Sequence, residues 1–189
     1  MSKRKKIWLL IFGVLSLMFI ALVFFKMRTN SQSEAISWVE EQGGSLQLQE
    51  TSSLMSTMPD FIKYMVSYFE KVSAVIINNP EVKEIDTIRD FEELQFLDLS
   101  YTSIENLQNL DTLKKLEYLD ISNTRVSSLH FLQNLPNLKT LKIVGTPIAD
   151  YSPLLKCQSL IEIYMSSFDD KESIQRMLPN CQIIFSDGF

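Results

Sequence analysis

The sequence predicts an α/β solenoid, a stack of similar coils that each contribute one short strand to a parallel sheet. The first observation is a repeated pattern of apolar residues with a period of 22 residues: LQFLDL at 94–99, LEYLDI at 116–121, LKTLKI at 138–143 and LIEIYM at 160–165. The second observation is that apolar and polar residues alternate within each repeat, as in a half-buried strand. Repetition at such a period is typical of architectures in which each unit completes its core only by stacking on its neighbours.

The pattern L-x-x-L-x-L at this spacing is the signature of a leucine-rich repeat. The segment VSAVII at 72–77 falls on the same three apolar positions, 22 residues before Leu94, so we place the array at residues 72–165, with about five coils. Each coil directs about seven apolar side chains to one interior, and each is worth roughly 1.5 to 3 kcal/mol when fully buried. We expect the strands to form the concave face of the solenoid.

A single transmembrane helix is predicted before the array. Residues 7–25 contain no charged residue in 19 positions, and as a helix they span roughly 28 Å, about the hydrocarbon thickness of a bilayer. The apolar stretch is longer than that of a typical cleaved signal peptide and no small-x-small site follows it, which favours an uncleaved signal anchor. The basic tail, residues 1–6, is expected in the cytoplasm, with the repeats extracytoplasmic in the periplasm or at the cell exterior, connected by a linker at 26–32.

An N-terminal cap is predicted at residues 33–71, because an uncovered first coil would expose its core and a strand edge. Its first helix is expected to begin with Ser33 as the capping residue and to end at Gly43 and Gly44. A strand at 45–49 and a second helix at 59–71 should follow.

A C-terminal cap is predicted at residues 166–189, built from a helix and a strand. Carboxylates at Asp169, Asp170 and Glu172 suit the start of this helix, and the strand should follow at 181–185. Cys157 and Cys181 are interpreted as small buried hydrophobic residues. Adjacent coils lie close enough for a disulfide, but the expected offset of the two cysteines along the strand direction works against one.

The charge distribution narrows the choice of partners. The first 28 residues carry 6 of the 18 basic residues and none of the 23 acidic ones. The remaining chain therefore holds 12 basic against 23 acidic residues, and a field of that sign repels phosphate backbones, so we expect no nucleic-acid partner.

The repeats resemble the internalin-like, 22-residue class of bacterial leucine-rich repeats. The resemblance rests on Leu94-x-x-Leu97-x-Leu99-x-x-Thr102-x-Ile104-x-x-Leu107 and its recurrence from residue 116, and with the flanking coils it covers about residues 72–184. It implies a fold and does not identify a ligand. One departure is that threonine stands at 102, 124 and 146, where the family often has a turn asparagine that bonds to neighbouring backbone; a hydroxyl can replace part of that ladder.

Candidate ligand-binding residues are those expected between the strand leucines, on the concave face: Phe96, Asp98, Tyr101, Tyr118, Asp120, Asn123, Lys142 and Tyr164. Rigid aromatic side chains among charges are typical of binding hot spots, although aromatic residues also favour strands for structural reasons. Stacking of the coils should place Phe96 beside Tyr118 and Asp98 beside Asp120.

Catalytic chemistry is poorly represented in the sequence. The single histidine, His130, is expected on the outer surface near Ser127 and Ser128, without a converging carboxylate. Asp98 and Asp120 could act as an acid–base pair or bind a cation, but an open surface perturbs carboxyl pKa values little. No metal-ligand spacing or phosphate-binding glycine loop is present, so we expect neither an enzyme nor a cofactor.

The sequence therefore predicts a membrane-anchored leucine-rich-repeat domain that binds a protein partner through its concave face. The alternative is a receptor for a cell-envelope glycan or another non-protein ligand, held by stacked aromatic rings and paired carboxylates.

Overall fold

The computed structural model describes residue 16 and residues 31–49, 71–166 and 171–186. The chain divides into two compact units, residues 1–34 and 35–189. The predicted transmembrane helix at 7–25 lies outside the described residues, apart from Ser16, which is helical. Over the described ranges, no helix combines the length and the apolar character needed to cross a bilayer.

One seven-stranded sheet organises the second unit, with its strands in sequence order. The strands are β1 (Ser45–Leu48), β2 (Val72–Ile76), β3 (Phe96–Asp98), β4 (Tyr118–Asp120), β5 (Thr140–Lys142), β6 (Glu162–Met165) and β7 (Gln182–Phe185). β1 is antiparallel to β2, and each later strand is parallel to the one before it. This is a leucine-rich-repeat solenoid with a parallel sheet, as the 22-residue pattern predicts.

The register follows the leucine pattern through the central strands. Leu97 pairs with Leu119 and Leu119 with Leu141, so equivalent leucines lie one behind the other. All three are fully buried, because side chains alternate across a strand and every second residue points into the core. Residues at the intervening positions point to the opposite side of the sheet, which we call the open sheet face.

A short 3-10 helix returns the chain behind the sheet in each of four coils: Asp86–Asp90, Gln108–Thr112, His130–Asn134 and Ser152–Lys156. Each carries one buried apolar residue at the same repeat position: Ile88, Leu110, Leu132 and Leu154. The strands and these helices thus enclose a single stacked core.

The segment before the array contains helix α1 at residues 31–41, followed by β1. Ala35 and Val39 of α1 are buried in the same core as the repeats. Gly43 has a left-handed φ of 72° and its amide donates to the Glu40 carbonyl, which ends the helix as expected. The prediction of Ser33 as the capping residue is wrong, because the two residues before Ser33 are already helical. The predicted helix at 59–71 lies outside the described residues except for Lys71, which is not helical.

The last coil contains helix α2 (Lys171–Met177) and β7. Ile174 of α2 is buried in the core, whereas Asp169 and Asp170 lie outside the described residues. β7 pairs with β6 at an offset of 20 residues, since Ile163 pairs with Ile183. The sequence interpretation placed Cys181 at the central position of this strand, but Cys181 lies immediately before β7.

The threonines at the turn position form two kinds of hydrogen bond. Thr102 and Thr124 donate their hydroxyl hydrogens to the carbonyls of Leu99 and Ile121, in the same coil, at 2.7 Å. Thr146 instead donates to the Ile121 carbonyl of the preceding coil at 2.8 Å. The expected replacement of an asparagine ladder therefore occurs only at Thr146, because the shorter side chain closes its own turn at the other two positions.

Candidate functional site

The open sheet face carries two rows of side chains that run across the strands. The first row contains Gln47, Ala74, Phe96, Tyr118, Thr140, Glu162 and Gln182. The second row contains Ser45, Ile76, Asp98, Asp120, Lys142, Tyr164 and Ile184. Because adjacent strands lie about 4.8 Å apart, neighbours in a row are within reach of direct contact.

An aromatic stack lies at the centre of the first row. The rings of Phe96 and Tyr118 are stacked with their centroids 4.1 Å apart and their planes inclined by 8°. Both side chains are half-buried. Such a pair is a rigid apolar surface, since each ring holds the other in place and aromatic contacts add about 0.5 to 1.5 kcal/mol to the burial of area.

Lys142 lies between two tyrosines, and this arrangement was not apparent from the sequence. Its Nζ is 5.4 Å from the centre of the Tyr118 ring and 4.9 Å from that of Tyr164, both within cation–π range. The same Nζ is 3.9 Å from Oδ2 of Asp120, whose residue is 7% exposed. One cation therefore ties three coils together across the open sheet face.

The protonation states of this cluster are stabilised by their surroundings. A hydrogen bond with the Tyr118 hydroxyl, more than the opposing effect of burial, raises the pKa of Lys142 above its usual value. Burial is the main reason that the pKa of Tyr118 is also raised. At neutral pH the lysine is therefore charged and the tyrosine neutral, as the cation–π contact requires.

The two aspartates of the second row hold the turns that follow their strands. Oδ1 of Asp98 accepts a hydrogen bond from the amide of Ser100, and Oδ1 of Asp120 accepts one from the amide of Ser122, both at 2.9 Å. This geometry is the Asx turn, in which a carboxylate bonds to the backbone two residues on. The suggested acid–base pair is thus replaced by a structural role that leaves the second carboxylate oxygen of each residue available.

Backbone strain occurs at the repeat position three residues after the strands β3, β4 and β5. Tyr101, Asn123 and Gly145 all have left-handed φ values, of 61°, 55° and 67°. Glycine adopts this conformation freely and asparagine tolerates it, whereas a bulky tyrosine is strained there. Tyr101 is nevertheless 55% exposed, so the strain displays an aromatic ring to solvent.

A shallow groove of about 480 Å³ runs along these turns. Its lining includes Pro80, Tyr101, Asn123, Arg125 and Gly145. The groove lies where the chain leaves β3, β4 and β5, so Tyr101 and Asn123 occupy the edge of the open sheet face and not the face itself. The common repeat position of these residues was the sequence signal for a shared turn.

His130 contacts a serine but lacks the rest of a catalytic arrangement. Its Nδ1 is 2.9 Å from Oγ of Ser128, and both residues are exposed. The neighbouring Asp150 accepts hydrogen bonds from the amide and hydroxyl of Ser152, and these lower its pKa. Over the described ranges, no group of three or more histidine, cysteine, aspartate or glutamate side chains is placed to hold a metal ion.

The structure thus separates the eight candidate residues into two groups. Six of them lie together on the open sheet face: Phe96, Asp98, Tyr118, Asp120, Lys142 and Tyr164. Two, Tyr101 and Asn123, lie on the turns beside it. Ile76, which is 37% exposed in the second row, also belongs to the face and was missed by the sequence analysis because it was treated only as part of the apolar pattern.

Comparisons with known proteins agree with this architecture. Residues 92–135 match the family model described as leucine-rich repeats in two copies. No curated protein matches the chain. Among solved structures, an internalin from Listeria monocytogenes, InlF, is 22% identical with a TM-score of 0.53, covering 62% of this chain and 35% of that one.

Two further structures are similar over the same fold. A leucine-rich-repeat protein from Leptospira interrogans is 25% identical with a TM-score of 0.52, covering 58% of this chain and 30% of that one. Internalin C2 from Listeria monocytogenes is 28% identical with a TM-score of 0.49, covering 55% of this chain and 47% of that one. The chain therefore spans less than half the length of each of these proteins.

Proposed function

We propose that this chain, which carries leucine-rich repeats of the bacterial type, is a membrane-anchored module that binds a protein partner through its open sheet face. Leucine-rich repeats are interaction scaffolds, and extended sheet surfaces are what such solenoids offer to partners. The observation that carries the proposal is the ordered cluster of Phe96, Tyr118 and Lys142, in which stacking, cation–π contacts and an ion pair fix the side chains before any partner arrives.

Preorganisation matters because binding costs side-chain entropy. An interface residue that must be immobilised loses about 0.5 to 1.5 kcal/mol on association. Stacked rings have already lost that freedom in the free protein, and aromatic residues dominate binding hot spots. The open sheet face is therefore better suited to binding than the outer surface, where the exposed Leu155 is a single apolar side chain on a 3-10 helix.

The membrane anchor is the second part of the proposal. The uncharged stretch at residues 7–25, flanked by more basic residues before it than after it, supports a single-pass helix with its N-terminus in the cytoplasm. The repeats would then lie outside the cytoplasm, with α1 and β1 covering the first coil and α2 and β7 covering the last. A solenoid needs such end units because an uncovered terminal coil exposes its core.

The test is affinity capture with the full chain in mild detergent, followed by mass spectrometry of the captured proteins. Replacing Phe96 and Tyr118 by serine should weaken capture by at least about tenfold, while leaving the far-ultraviolet circular dichroism spectrum unchanged. Leu155→Ser serves as the matched control, since it removes an exposed apolar side chain elsewhere. Equal capture by the double variant would refute the proposed surface. Binding that survives proteinase treatment of the extract would favour the glycan receptor.

A further inference from the structure

The cluster around Lys142 shows how this sheet holds a cation. Tyr118 and Tyr164 offer their ring faces, and Asp120, in the same row as the lysine, offers a carboxylate oxygen at 3.9 Å. An aromatic ring and a carboxylate two residues apart on one strand thus form two sides of a cation site. The third component, the cation itself, comes from the next strand.

The preceding coil has the same two sides but no cation. Phe96 and Asp98 on β3 are in register with Tyr118 and Asp120 on β4. The position that Lys142 fills for Asp120 is filled for Asp98 by Asp120, another carboxylate. Over the part of the chain that the structure describes, Asp98 is in no ion pair; its Oδ1 accepts hydrogen bonds from the Ser100 amide and, at 3.3 Å, from Asn78.

The space beside Phe96 is open on the side away from Tyr118. Its neighbour there in the first row is Ala74, whose methyl group reaches only a short way above the sheet. In the second row, Asp98 is flanked by Ile76, which is 37% exposed. One face of the Phe96 ring, an aliphatic wall and a carboxylate therefore border a slot that Ala74 leaves unfilled.

We propose that Ala74, Ile76, Phe96 and Asp98 form a slot for an arginine side chain presented by the protein partner. The guanidinium would lie flat on the free face of Phe96 and pair with Oδ2 of Asp98, reproducing with a partner's cation what Lys142 does within the chain. This inference rests on the proposed function, because it assigns the chemistry of a partner at the same face.

Two observations favour a cationic arginine over other occupants. The chain after residue 28 holds 12 basic against 23 acidic residues, so its field attracts cations. Phe96 also lacks the hydroxyl through which Tyr118 bonds to Lys142, which leaves only a ring face for the cation. A planar guanidinium stacks on such a face and bonds to a carboxylate at the same time, whereas an ammonium is a compact and strongly hydrated charge.

The test uses a randomised dodecapeptide library selected against the full chain in detergent micelles. Selected peptides should contain arginine, and replacing that arginine by citrulline, which keeps the shape and removes the charge, should weaken binding by about tenfold or more. Asp98→Asn should have a similar effect while keeping an oxygen to accept the Ser100 amide. Asp111→Asn, which removes an exposed carboxylate on a 3-10 helix, is the matched control and should bind normally.

The outcomes separate this inference from the proposed function. A library that yields no arginine-containing binder overturns the inference. So does binding that changes less than about twofold with both citrulline and Asp98→Asn, yet is lost with Phe96→Ser; in that case the open sheet face still binds a partner. Peptides that bind Phe96→Ser as well as the unmodified chain would overturn both.

Discussion

The core of the solenoid is best tested at Leu119, in the middle of the stack. Its side chain is fully buried between Leu97 and Leu141, which are themselves fully buried. Leu119→Ala removes three carbon atoms, which at about 0.8 kcal/mol per buried methylene amounts to about 2.4 kcal/mol. The cavity adds to this loss, since the leucines on either side are fixed by their own coils and cannot move in to fill it. We expect a total of about 3 to 4 kcal/mol.

The measurement is urea unfolding of the full chain in mild non-ionic detergent, followed by circular dichroism. Leu155→Ala is the control, because Leu155 is 58% exposed and its truncation should change the free energy of unfolding by less than about 0.5 kcal/mol. A loss below about 1 kcal/mol for Leu119→Ala would show that this position does not face the shared core. The register of the whole array would then be wrong.

Three further predictions concern a turn and the two thiols. Gly145→Ala should destabilise the fold by about 1 to 2 kcal/mol in the same unfolding assay, because alanine is strained at this φ and its Cβ would collide with the Asn123 side chain. Cys157 and Cys181 are free and buried, and burial raises the pKa of each to about 11. Alkylation by iodoacetamide at pH 8 should therefore be about 100-fold slower in the folded chain than in urea; equal rates would refute this. The free energy of unfolding should also fall between pH 9 and 11, since the folded chain keeps thiol protons that the unfolded chain has lost, and Cys181→Ala should flatten this dependence.

The central register could be read from the sequence because its physical cause is repeated. A one-residue slip of any strand would turn its leucines to solvent, so the 22-residue spacing leaves one arrangement that buries them all. Leu97, Leu119 and Leu141 are aligned for this reason. The same argument located β2, although VSAVII contains no leucine.

The last strand escaped this reasoning because its pairing is not set by a repeated coil. Helix α2 replaces the 3-10 helix of the earlier coils, and its different rise per residue changes the number of residues between β6 and β7. The pairing of Ile183 with Ile163 is two residues away from the expected one. Both alignments place apolar residues inward, so the hydrophobic pattern alone did not distinguish them.

The arrangement of the candidate site was only partly predictable. Strand alternation places Phe96 beside Tyr118, but the position of Lys142 between two tyrosines depends on how its long side chain folds back across β4. The structural role of Asp98 had a signal that was overlooked. Asp-x-Ser occurs after both β3 and β4, and this pattern is typical of an Asx turn.

The order of the strands links the mechanics of the array to its occupancy. Each strand is hydrogen-bonded only to its immediate neighbours, so the coils can separate one at a time from an end, like a zip fastener. A ligand that contacts both Phe96 and Tyr164 would cross β3, β4, β5 and β6 and would have to be released before any of these four coils could open. It would add RT ln(1 + [L]/Kd) to their cohesion. Resistance to unzipping would therefore report how much of the receptor is occupied.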